Sequence, residues 1–275
     1  MMKREELQVV SRMKACIIFC ILFLITSGGM SDLAGQGRYE LSAKKDYPIL
    51  AAGTGLSIAG WYLLKNTVPL DRDQIDGLSC EWINPLDRWA CRNWSPEISR
   101  WSDIGLIASV LLPLTLSLSS QARDEIADLG LLYFENVMLT SAVVSISKGL
   151  FQRIRPMAYN KDIPSELKDQ NTDLRHSFYS GHTAGAFSGV IFFATVFDRY
   201  HPDSKWQPFI WSGSLALASS VALFRVLAGK HFPTDVIVGA IVGGFTGYLV
   251  PEIHEKASTE NNNPQPIVFN VVFAL

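Results

Sequence analysis

Apolar and polar positions along this chain fall into blocks. Six apolar runs follow one another, at 48–64, 104–122, 129–147, 177–197, 206–224 and 236–250. Most approach the roughly 20 residues that a helix needs to cross a bilayer, and the sixth extends backward through Phe232. Runs of this length without period-two alternation predict helices rather than strands. The pattern therefore predicts an all-α, polytopic membrane helix bundle with about six transmembrane helices.

A shorter apolar stretch, 15–26, precedes these runs. Lys3, Arg4, Arg12 and Lys14 flank it on one side and Ser27, Gly28 and Gly29 on the other. Basic flank, short core and small-residue exit read as a secretory signal peptide, with an uncleaved signal anchor as the alternative. The chain then divides into this segment (1–30), a first membrane helix with an amphipathic extramembrane loop (31–103), a core helix bundle (104–255) and a flexible tail (256–275). Within the tail, 258–265 is rich in Asn and Pro, and the apolar run 266–275 has no assigned role.

The loops differ in character. In 66–103, Trp82, Trp89, Trp94 and Trp101 recur every five to seven residues. That spacing predicts either an amphipathic helix at the membrane interface or a packed extramembrane loop. The polar segment 157–175 is long enough to cap a site, whereas 121–128 and 198–205 are short turns between antiparallel helices.

Composition narrows the class. Hydrophobic residues make up 48% and charged residues 18%, which is poor for a soluble protein and ordinary for a multi-span one. A net charge of −2 without a basic tract excludes nucleic acid as a partner. Cys16 and Cys20 lie in the N-terminal apolar run, and Cys80 and Cys91 in the long loop. In an oxidising compartment the second pair would form a disulfide stabilising by about 3 kcal/mol; otherwise they are two unrelated thiols. No CxxC metal-ligand spacing is present.

Three segments place ionisable groups at the ends of apolar runs, where charge is costly unless an anion meets it. Lys148 and Arg155 lie seven apart, two helical turns, and so share a face before Pro156 stops the helix. Ser180 suits the N-cap of a helix that begins near His182, and Gly181 lets its backbone approach a ligand. Pro233 suits a first helical position, with Asp235 in the first turn and His231 within its reach at i+4. A carboxylate on one imidazole nitrogen frees the other to attack. Arg225 offers forked donors to phosphate oxygens. Each motif alone also has a bland reading: snorkelling cations, a simple cap, a structural His–Asp pair. All three at helix ends on one side of a membrane point jointly to a phosphate site.

In this order, K-x6-R-P, S-G-H and R-x5-H-x3-D resemble the signature of the type 2 phosphatidic acid phosphatase superfamily, over roughly residues 104–250. Tyr179 stands where that family usually has Pro, and Phe224 where it usually has Ser. The resemblance implies His231 as nucleophile forming a phosphohistidine, Asp235 as its partner, and His182 as general acid and then base. It implies Lys148, Arg155, Arg225, Ser180 and the Gly181 amide as phosphate-binding groups. No metal and no cofactor are implied, since three cations neutralise the phosphoryl group. The partner is a membrane lipid phosphate or diphosphate, and oligomeric state is left open. The expected location is a multi-pass bacterial inner membrane protein with an extracytoplasmic site.

Lipid phosphotransfer at the same site and non-catalytic lipid-phosphate binding are the rival readings. Vanadium haloperoxidases share the motif set, but the membrane runs argue against that activity. Glu135, in the third run, is expected to serve a function or to bond a neighbouring helix. His176, His201 and His254 are given no catalytic role, and the last two fall on the side opposite the motifs.

Overall fold

The computed structural model describes residues 37–256; the expectations for 1–30 and for the tail beyond 256 lie outside it. The described residues fall into two units, 37–40 with 255–256 and 41–254. In the smaller unit, Tyr39 and Glu255 form an antiparallel bridge, and Arg38 pairs with Glu255 at 3.5 Å.

The larger unit is all-α among the described residues. Its long helices are α1 (Ala43–Lys65), α2 (Pro96–Leu111), α3 (Ile126–Phe151), α4 (Gly181–Tyr200), α5 (Gln207–Leu227) and α6 (Pro233–His254). Five of the six apolar runs lie largely within one of them, and the run 104–122 is divided between α2 and its continuation as a 3-10 helix over Leu112–Leu118. Five are long and apolar enough to cross a bilayer: α1, α2 with its extension, α3, α5 and α6. The exception, α4, has twelve of its twenty residues buried. It is the central helix, packed against α6, α5, α2 and α3, so its surface meets protein rather than lipid. That explains its weaker hydropathy: a polar residue such as Ser188 is acceptable where neighbours bond it. A ladder of hydroxyls does so, with Thr140 of α3 at 3.1 Å from Ser188 and 2.7 Å from Thr246 of α6. Ser188 also donates to the Asn136 amide oxygen at 3.0 Å.

Small residues decide how closely α6 approaches α4. Gly239, Gly243 and Gly247 recur every four residues and face the carbonyls of Ser180, Ala184 and Ser188. A Cβ at Gly243 would lie 2.1 Å from the Ala184 oxygen. The opposite face of α6 presents Ile237, Ile241 and Phe245, each more than half exposed, as a lipid-facing stripe. α1 packs along α3 by the same device, with Gly60 against Ser145 and Gly149 against Leu63.

At one end of the bundle the long connections fold into a cap. The tryptophan-bearing loop is not one amphipathic helix. It is a series of short turns, Arg72–Gly77, Cys80–Trp82, Pro85–Arg88 and Trp89–Arg92. Local capping explains the breaks: Asp71 and Gln74 close a capping box, Asn84 accepts from the Asp87 N–H, and Ser95 starts α2. Leu70 and Ile75 from this loop bury against Met157, Ala158, Ile163 and Leu174 of the 152–180 connection. Ala90 and Cys91 bury against Val226, Phe232 and Val236. Cys80 and Cys91 are free thiols, and burial together with the neighbouring Cys80 pushes the Cys91 thiol up to about 12.

Replacing Gly243 by Val is expected to push α6 off α4 and lower stability by about 1–3 kcal/mol. Gly130→Ala, where an added Cβ meets nothing within 4 Å, should leave the thermal midpoint in detergent unchanged or raised.

Candidate active site

The motif residues converge beneath the cap, at the end where α3 and α5 finish and α4 and α6 begin. α3 stops earlier than the spacing of Lys148 and Arg155 predicts. Phe151 is its last residue, and Gln152 takes a left-handed conformation with φ 43°. Pro156 does not end α3; it is the first residue of a separate turn, Pro156–Tyr159, capped by Arg155. Lys148 and Arg155 thus reach the site from different elements, not from one helical face.

Arg155 is almost fully buried and entirely engaged. Its Nε donates to the Asp173 carbonyl at 2.8 Å, NH2 to Asp173 Oδ1 at 2.7 Å, and NH1 to the Lys230 carbonyl at 2.9 Å. The same NH1 lies 3.4 Å from Nε2 of His231. Lys148 is half-buried, and no hydrogen bond or ion pair joins its ammonium to a described residue. Its Nζ lies 3.6 Å from the position a Cβ on Gly181 would take, so glycine keeps that approach open.

His231 is fully buried. The preceding turn places it: Gly229 has φ 70°, and a Cβ there would sit 2.0 Å from the Asn93 carbonyl, so only glycine fits. The sequence expectation of a direct His231–Asp235 bond needs correction. Nδ1 of His231 is 2.7 Å from the Ser177 carbonyl and 3.9 Å from Asp235. A carbonyl can only accept, so Nδ1 carries the proton and Nε2 keeps its lone pair. Burial first, then the charges of Arg155, Arg225 and Lys148, hold this imidazole well below its usual pKa and therefore neutral.

Asp235 holds the backbone around that histidine. Its carboxylate accepts from the Ser177 hydroxyl at 2.5 Å, the Phe232 N–H at 2.9 Å and Arg153 NH1 at 2.5 Å, while its carbonyl accepts the Ser180 N–H at 3.1 Å. Arg153 continues to Asp87, at 2.8 Å, and Asp87 also accepts from the Thr234 hydroxyl and N–H. The Thr234 and Arg153 donors outweigh burial and depress the Asp87 pKa.

Ser180 caps α4 as its type suggests, but its hydroxyl is fully buried and bonded to Thr183 N–H and Oγ1, at 3.3 and 2.9 Å. It shapes the turn, leaving the Gly181 and His182 amides at the helix start. His182 is partly exposed, with Nε2 2.8 Å from Asp103 Oδ1. Arg225 donates through NH1 to Ser102 and Ser99 at 3.1 and 3.3 Å and lies 3.5 Å from Asp103, while its buried Nε has no partner. Arg225 and Lys148 act electrostatically on both His182 and His231, which ties the two rings to one polar pocket.

Five residues here were not singled out by sequence reasoning: Arg153, Ser177, Asp87, Asp103 and Asp173. Arg153 and Ser177 sit inside the quoted motif segments, which was their only signal. Asp87 and Asp173 lie in short turns of the long connections and Asp103 in the second turn of α2, and no spacing rule ties any of them to the motifs.

Comparison with known proteins follows the same residues. The PAP2 superfamily model matches residues 129–258 of this chain. It is 31% identical over 90 residues to a lipid A 4'-phosphatase of Bacteroides thetaiotaomicron, covering 33% of this chain and 36% of that one. It is 28% identical over 131 residues to a lipid A 1-phosphatase of Rhizobium etli, covering 46% and 51%. The chain thus spans about a third to a half of the length of these relatives. The crystal structure of Aquifex aeolicus LpxE aligns with 25% identity over 64% of this chain and 99% of that one, at a TM-score of 0.42. At that score the likeness bears no weight. With five helices suited to span and a family match, the chain is a multi-pass membrane protein.

Arg153→Met should cost about 3 kcal/mol, because it leaves the buried carboxylates of Asp87 and Asp235 facing one another. Adding Asp87→Asn should recover part of that loss in a detergent melt.

Acid offers a second test. Burial is the main force holding His176 down at about 4, and His231 is also depressed. Below about 6.5 the unfolded chain takes up protons that the folded one refuses. Stability is therefore full above pH 6.5 and falls as pH drops toward 4, by at most about 3 kcal/mol from His176 alone. His176→Gln should flatten that slope in thermal midpoints measured from pH 7 to 4.

Proposed function

We propose that this chain is a membrane phosphatase that removes a phosphate carried as a monoester or diphosphate on a lipid. The observation that carries the reading is His231. Its imidazole is buried, neutral and locked through Nδ1–H to a carbonyl, with the Nε2 lone pair beside the Arg155 guanidinium. That is the arrangement a nucleophile needs next to a phosphoryl-binding cation.

In the first step Nε2 of His231 attacks phosphorus, and the lipid oxygen leaves. Lys148, Arg155 and Arg225, with the Gly181 amide, face the phosphoryl oxygens as charge spreads over them. Ser180 serves by holding that amide rather than by touching phosphate. His182 gives a proton to the leaving oxygen. Asp103 on its Nε2 supports the charged ring and leaves Nδ1 for the transfer. In the second step neutral His182 takes a proton from water, which attacks the phosphohistidine and releases phosphate. Asp235 acts at one remove, by fixing Ser177 and hence the carbonyl that sets the His231 tautomer. Three cations balance the phosphoryl charge, so no step calls on a metal.

The names of the two lipid A phosphatases support a lipid substrate, and the position of the site at the bundle end suits a headgroup whose chains stay in the bilayer. The cell membrane with the cap outside completes the reading.

Phosphate release in detergent with EDTA present, over a panel of lipid phosphates beginning with lipid A, tests the proposal. His231→Ala should abolish turnover, and His182→Ala should lower it by about 10²–10⁴. Wild-type rates in the His231 variant would sink the nucleophile assignment, and a new phosphoester in place of free phosphate would favour transfer. A Gln170→Cys label accessible only from the cytoplasm would reverse the orientation.

A further inference from the structure

One ionisable cluster has no part in that chemistry. Asp46 lies in the first turn of α1, Glu135 in α3, and His254 is the last residue of α6. α6 has 22 residues, so roughly 33 Å of helix separates this cluster from the His231 end. All three residues are buried, Glu135 and His254 fully.

Hydrogen-bond accounting shows what the cluster lacks. Nδ1 of His254 is 2.8 Å from the Val250 carbonyl, so it carries a proton. Nε2 then faces Asp46 Oδ1 at 2.9 Å and Glu135 Oε2 at 3.5 Å. In the neutral ring these are three acceptors converging with no donor among them. A second proton on the ring would satisfy Asp46. It would still leave Glu135 with only the 3.5 Å ion pair and no hydrogen bond to either of its oxygens. A carboxylate without a hydrogen bond in a protein interior is costly enough to require an explanation.

A cation supplies it. The three ligand atoms lie within 4.8 Å of one another. A tetrahedral ion with bonds of about 2.0–2.1 Å spaces its ligands about 3.3 Å apart, between the 2.9 and 3.5 Å seen here. A histidine whose far nitrogen donates to a backbone carbonyl has the second-shell arrangement usual for a metal ligand. Two carboxylates and a neutral imidazole sum to −2, which a divalent ion neutralises. Mixed N and O donors select Zn2+ and its neighbours over Mg2+ or Ca2+.

We propose that Asp46, Glu135 and His254 bind one divalent transition-metal ion of the Zn2+ class, separate from the phosphate site. The ion joins α1, α3 and α6 at the bundle end remote from the cap. Its fourth position is open to water, since the Asp46 side chain is the one ligand that reaches the surface.

The test uses tag-free full-length protein in detergent, in a Cys80→Ser, Cys91→Ser background that removes the loop thiols as competing ligands. After chelator stripping, Co2+ is added and then Zn2+. The expected result is one equivalent of Co2+ with the d–d absorption of a four-coordinate site, its displacement by Zn2+, and a higher thermal midpoint with Zn2+. Glu135→Gln and His254→Gln should each weaken Zn2+ binding at least tenfold and remove the thermal shift. No saturable Co2+ site in the parent protein would overturn the proposal and leave an ion-pair triad. So would unchanged affinity in the His254 variant. Because binding and melting are the readouts, the result stands apart from whether the chain is a phosphatase.

Discussion

A single carboxylate holds the site together. Asp235 is fully buried, yet it gathers Arg153, Ser177 and the Phe232 amide, while its carbonyl receives the Ser180 N–H. Those partners come from the end of α3, the connection to α4, the start of α6 and the start of α4. A charge in such a setting is tolerable only when it is paired and hydrogen-bonded, so these four places cannot drift independently. The position of His231 follows from this network, because the carbonyl that orients its ring belongs to the serine that Asp235 fixes.

The bundle serves that arrangement by bringing helix ends together. α4 runs through the middle, and the glycine stripe of α6 lets the two backbones lie close enough for Ser180 and Asp235 to bond directly. In a membrane, where apolar faces gain little by meeting one another, such close backbone packing and the hydroxyl ladder supply the association. The cap then closes over the ends with an ordinary apolar core of its own.

Much of this was legible in the chain. Block hydropathy located all six long helices, and three short motifs named the cations and histidines that the fold brings near one another. Other features were not legible, for specific reasons. The turn at Gln152 is left-handed in a non-glycine residue, so no glycine announced the end of α3, and the seven-residue spacing of Lys148 and Arg155 looked helical. The i+4 spacing of His231 and Asp235 suggested a direct bond, but a residue outside a helix does not follow helical spacing, and Ser177 intervened from 58 positions away. The Trp spacing in the long loop pointed to one helix or a packed loop, and local caps at Asp71, Asn84 and Ser95 produced a packed series of turns. Asp103 and Asp173 gave no signal because a lone exposed carboxylate is the commonest of surface residues until the fold sets it beside a histidine or an arginine.

The burial of α4 has a consequence for biogenesis. Its polar face would meet acyl chains if it left the translocon alone, and Ser188 would then lack the Thr140 and Asn136 side chains that bond it. Stable entry into the bilayer must therefore wait for later segments, with α5 and α6 emerging before α4 settles. A nascent chain arrested between α4 and α5 would hold a helix that the lipid does not retain.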